Sequence, residues 1–312
     1  MSGLFYYLRT FLNSKSDLYF YNTLKRLKSI LYINGKFSKI IGVPAVVTLL
    51  SVVVTSLIYM IFQYVNPWQG MELGVAGKFE EFCELNRMNE LFREPVNTIS
   101  NLAFLFYGAV CIAFYRNDLN KKIRSNLLVE FPEYSLIMGI FFLYLAFGSF
   151  FYHASLTIIG QHHDMTATYS VATFPVIFNA VQILVGIGNR KSFSARKNIA
   201  QIGFFILLIT PLFFYAVKWK LNANIALPII FSLIFITSLL TQKFISGKSY
   251  PVFLLLGFIS LATAFGLWYA DKNNFWCNPY GFLQGHAVWH ILTGLAAFFI
   301  YLYLRSERKK LF

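Results

Sequence analysis

Eight separate runs of about twenty mostly apolar residues limit this chain more than anything else in it, because that is the length a helix needs to cross a bilayer. They are Ile41–Val65, Pro95–Tyr115, Tyr134–Leu156, His163–Gly188, Asn198–Val217, Ala223–Thr241, Tyr250–Ala270 and Gly281–Leu304. Of the 312 residues 57% are hydrophobic and 13% charged, which excludes a soluble globular enzyme, a disordered chain and a disulfide-rich secreted module. The expected fold class is all-α integral membrane. No repeat at a solenoid or propeller period and no low-complexity tract interrupts the pattern.

Residues 1–40 differ, mixing aromatics with seven Lys and Arg, and read as a basic region lying in the interface. A cleaved signal peptide is not expected, since the first long apolar run begins only at Ile41. Charge tests the span count. With eight spans and a cytoplasmic N-terminus, 21 Lys and Arg fall in cytoplasmic segments and 6 on the opposite face, out of 27. That bias predicts both termini cytoplasmic. The formal charge of +14 is then assigned to loops beside anionic lipid head groups rather than to nucleic acid. Six of the 13 acids (Glu72, Glu80, Glu81, Glu84, Glu90 and Glu94) crowd the outer segment 66–94, and Asp164 alone is expected at the edge of, or inside, an apolar run.

The five histidines form two clusters: His153, His162 and His163 near the third and fourth runs, and His286 and His290 in the last. Positions i and i+4 share a helix face, so His286 and His290 can reach one metal, and Ser149 shares a face with His153. Counted from Gly281, the pair would lie roughly 7 to 14 Å into the last helix. A single histidine of this kind is ordinarily an interfacial or hydrogen-bonded residue. Three helices delivering polar groups to one level of a membrane, with Asp164 beside them, point instead to a functional site. Three neutral imidazoles plus a water describe an open catalytic zinc site in the outer half of the bilayer. The three cysteines, Cys83, Cys111 and Cys277, allow one intramolecular disulfide at most.

Three motifs resemble the signatures of the alkaline ceramidase family. The first is Glu81-Phe82-Cys83-Glu84-Leu85-Asn86 followed by Glu94-Pro95-Val96-Asn97-Thr98-Ile99-Ser100-Asn101. The second runs from Gly148-Ser149 through His153 to Gln161-His162-His163-Asp164. The third is Asp271 and Cys277, then Gln284-Gly285-His286-Ala287-Val288-Trp289-His290-Ile291-Leu292-Thr293-Gly294-Leu295. The likeness covers about residues 79–304 and implies a seven-helix zinc hydrolase core over 95–304. Residues 41–65 are then an extra N-terminal span, 66–94 an acidic outer loop and 305–312 a basic tail.

The resemblance further implies zinc on His153, His286 and His290, Asp164 as the group that deprotonates water, and Ser149 as an oxyanion partner. It implies calcium on Glu81, Phe82 (by its carbonyl), Glu84, Asn86 and Glu94, and a Cys83–Cys277 disulfide. Its substrate is a ceramide-like lipid drawn from the bilayer, cleaved to a fatty acid and a sphingoid base. Met165, His162, His163 and Pro95-Val96 depart from the family pattern, which bears on substrate choice. Rival readings are a lipid receptor like the adiponectin receptors and a transporter with Asp164 in a proton relay. Five histidines are too few for a di-iron hydroxylase, and their spacing does not suit a bis-His haem protein.

Overall fold

The computed structural model describes residues 38–121, 126–187, 193–244, 249–275 and 277–307. The interfacial reading of residues 1–37 and that of the tail past 307 lie outside the described residues. The chain divides into two compact units, Met1–Val43 and Pro44–Phe312, and the histidines all belong to the second.

Among the described residues eight helices are long and apolar enough to cross a membrane, and the protein is an all-α integral membrane protein. In order they are α1 (Val43–Phe62), with short α2 (Val75–Phe79) and α3 (Pro95–Ser100) before α4 (Leu102–Leu119). Short α5 (Leu127–Glu130) precedes α6 (Glu133–Ser155), α7 (Ile158–Ile187) and α8 (Phe193–Val217). The last are α9 (Ala223–Phe244), α10 (Pro251–Lys272) and α11 (Gly285–Arg305). α3 and α4 together make one span.

Two of the boundaries that differ from the sequence reading bear on the histidines. α7 begins at Ile158, not His163, so His162, His163 and Asp164 sit inside the helix. α11 begins at Gly285, not Gly281. His286 and His290 therefore lie about 1.5 and 7.5 Å from its start instead of 7 to 14 Å. Asp164 is also not alone in the apolar helices. Asp118 in α4 is buried in an ion pair with Arg305 of α11 (2.6 Å), and Asp271 is buried near the end of α10. Hydropathy missed Asp118 because it lies just past the apolar run, where the helix continues for one more turn.

α7 is the hub, packing on α6, α8 and α9, while α11 packs on α10, α3 and α4. Close approach of α6 and α7 depends on Gly148: a Cβ there would lie 2.9 Å from the backbone C and O of His163. The segment before α3 is stitched to the α6–α7 turn. Gly74 N–H donates to the Leu156 carbonyl, Ile158 N–H to Glu72, and Glu94 N–H to His153. Leu156 closes α6 in the left-handed conformation, φ 49°. The acidic segment is thus fixed against the end of the bundle where α6 stops and α7 and α11 begin.

Candidate metal centre

At that end His153, from the last turn of α6, meets His286 and His290, one turn apart at the start of α11. All three are buried, and one ligand nitrogen from each lies within 4.8 Å of the others. No other three His, Cys, Asp or Glu side chains among the described residues come together in this way. His153 Nε2 and His286 Nε2 are 3.3 Å apart.

The outer nitrogens fix which protons these rings carry. His153 Nδ1 lies 2.6 Å from Glu94 Oε2, and a carboxylate can only accept, so Nδ1 bears the proton. His290 Nδ1 lies 2.7 Å from Ser100 Oγ, whose own hydroxyl donates to the Asn97 carbonyl. Ser100 therefore accepts from His290 Nδ1–H. Both rings aim an Nε2 lone pair inward, as metal-ligating histidines with such backing do. Phe82 stacks on His286 at 3.7 Å and seals one side.

Asp271 of α10 holds the start of α11 in place. Its two carboxylate oxygens accept from His286 N–H (3.0 Å) and Cys83 N–H (2.9 Å), joining the α11 start to the acidic segment. The expected Cys83–Cys277 disulfide is formed, while Cys111 is free and buried.

Ser149 lies one turn before His153 and is buried, with its hydroxyl near the Asp164 carboxylate. Asp164, Ser149 and the three histidines all line one cavity of about 470 Å³. His162 and His163 are not part of its wall. His162 stacks on Tyr215 and donates toward the Tyr215 carbonyl, while His163 bonds Tyr144.

The five residues expected around calcium are placed as follows. Glu84 accepts from the free N–H groups of Val96 and Asn97 at the start of α3, both at 2.8 Å. Burial outweighs those bonds and pushes its carboxyl up to about 7. Glu81 pairs with Lys272 at 2.6 Å, and Asn86 Nδ2 donates to the Ala76 carbonyl. Glu94 turns one oxygen to His153, and the Phe82 ring lies on His286. Glu81, Glu84 and Glu94 do not form a three-carboxylate cluster. Sequence reasoning did not find the roles of Ser100 in backing His290 or of Glu94 in backing His153. Their separations of 190 and 59 residues leave no local signal.

The Ceramidase family model matches residues 80–310, and the chain belongs to that family. Membership supports ceramide hydrolysis, an amide hydrolase activity, and implies a lipid substrate. None of the curated proteins matches the chain.

Proposed function

We propose that the chain is a zinc-dependent intramembrane ceramidase, cleaving the N-acyl amide of ceramide-like lipids to a fatty acid and a sphingoid base. The observation that carries this is the 3.3 Å approach of two imidazole Nε2 atoms. Without a metal this contact is a hydrogen bond with the proton on one Nε2; with both Nε2 atoms deprotonated it is the spacing of two ligands on one cation. Ligands about 2.05 Å from a tetrahedral zinc are themselves about 3.3 Å apart. Bound zinc would polarise the amide carbonyl and lower the pKa of water.

The remaining steps belong to the chain. Asp164 takes a proton from water as the water oxygen attacks the carbonyl carbon. Ser149 turns its hydroxyl from Asp164 to the developing oxyanion. As the C–N bond breaks, Asp164 returns the proton to the nitrogen, which leaves as the sphingoid amine. Phe82 and the apolar wall keep bulk water away. The charge bias of the loops supports cytoplasmic termini and a site in the outer half of the bilayer.

A calcium ion in the acidic segment belongs to the same proposal. It is supported by Asn86 Oδ1 and Glu94 Oε1, buried acceptors with no hydrogen-bond donor. Glu81 would have to leave Lys272 to join them.

Purified protein given ceramide labelled in its acyl chain should release labelled fatty acid. Asp164→Asn should keep bound zinc and lose about 10²- to 10⁴-fold in kcat. Undiminished release by Asp164→Asn would remove the mechanism.

A further inference from the structure

The cavity does not stop at the histidines. On α11 the face carrying His286 and His290 continues through Thr293 and Ala297 to Ile300, at the i, i+4, i+7, i+11 and i+14 spacing of one helical stripe. Pro175 of α7, Ile234 of α9 and Leu261 of α10 line the same cavity. Polarity is segregated along this length. Glu81, Gln161, Asn224 and Lys272 line the end near the histidines. Beyond His290 and Asp164 the polar side chains on the wall are Thr168 and Thr293. Thr293 turns its hydroxyl onto the carbonyls of Trp289 and His290 in its own helix.

We infer that the apolar part of this cavity is a ruler for the fatty acyl chain of ceramide, with Ile300 as its stop and Ala297 as the narrow residue that lets the chain pass. This rests on the ceramidase reading above and adds which half of the substrate enters and how long it is. The sphingoid half carries hydroxyls on its first and third carbons, and the deep wall offers them almost no partner. The acyl half has no polar atom beyond the carbonyl at the site. It fits a dry slot, and the hydroxyls fall at the polar end.

Length follows from the helix rise. From midway between the two histidines, Ile300 lies about 18 Å down α11 and Ala297 about 13.5 Å. An extended chain advances about 1.25 Å per carbon, given C–C bonds of about 1.5 Å. The slot therefore holds about fourteen carbons, and a ring at position 297 would leave about eleven.

The test is kcat/KM on ceramides whose acyl chain runs from eight to twenty carbons on a fixed base, and on a second series that varies the base under a fixed acyl chain. Ala297→Phe should cut the long-to-short acyl ratio. Each excluded methylene is worth about four-fold, so three give about sixty-fold. Ile300→Ala should move the preferred acyl length up by about two carbons. Neither variant should alter the response to base length, and zinc content per chain reports that the fold is kept. Loss of equal size at every acyl length, or a response to base length instead, overturns the ruler.

A wild-type protein that cleaves no ceramide contradicts the catalytic reading, and the ruler is then read by binding. Trp268 and Trp289 line the cavity. Both lie at the histidine end, so fatty acids brominated next to the carboxyl group should quench indole fluorescence with an affinity that peaks near fourteen carbons and shifts in the two variants. Affinity that ignores both substitutions overturns the proposal.

Discussion

Glu94 offers the sharpest perturbation of the proposed zinc centre that spares the three histidines. The side chain is fully buried and holds His153 Nδ1 at 2.6 Å, while Asn97 Nδ2 donates to the same oxygen at 3.1 Å. Loss of such a backing carboxylate weakens metal affinity by about 10- to 100-fold, or about 1.4 to 2.7 kcal/mol. Glu94→Gln keeps an acceptor for Nδ1–H but loses the charge that roughly doubles such a bond, and belongs near the lower figure. Glu94→Ala leaves His153 Nδ1–H and Asn97 Nδ2 without an acceptor and belongs near the upper one. Competition against a chromophoric zinc chelator, in detergent and with calcium chelated selectively, measures both. Wild-type zinc affinity in Glu94→Ala would refute the assignment of Glu94 as the group orienting His153.

Three further outcomes follow from the same contacts. Cys83→Ser opens a disulfide spanning 194 residues, and thermal unfolding should show a loss of about 2 to 5 kcal/mol; an unchanged Tm would mean the bridge carries no stability. Asp271→Ala should lower both Tm and zinc affinity by leaving His286 and Cys83 N–H unpaired, and Asp271→Asn, which keeps one acceptor, should restore part of each; equal effects of the two would count against the clamp. Glu84, with its folded carboxyl near 7 against an ordinary 4.5, favours the folded state below about pH 4.5 and loses that contribution as pH rises through about 7. Metal-free wild type should therefore gain up to about 3 kcal/mol between pH 8 and pH 5 relative to Glu84→Gln, and parallel pH profiles would contradict it.

Hydropathy alone gave the eight spans, because a bilayer demands length and apolarity before it demands anything else. It began α7 at His163 rather than Ile158 because Gln161 and His162 interrupt the apolar pattern there. Within the structure Gln161 accepts from Val75 N–H and His162 donates to the Tyr215 carbonyl. The motif spacing named His153, His286, His290, Ser149 and Asp164, and the fold brings all five to one cavity. What surrounds them was not legible. Ser100 behind His290 and the Asp118–Arg305 pair that joins α4 to α11 at the bundle's other end are contacts between residues far apart in sequence, with no periodicity to announce them. Glu94 was visible in a motif, yet its bond to His153 appears only once α3 packs against α6.

X-ray absorption at the zinc edge on purified protein tests the centre most directly. One zinc per chain is expected, with three imidazole nitrogens at about 2.0–2.1 Å and one oxygen. The signal should disappear in His286→Ala and persist in Asp164→Asn. A chain that takes up no zinc, or a spectrum dominated by sulfur or by six oxygens, contradicts the account.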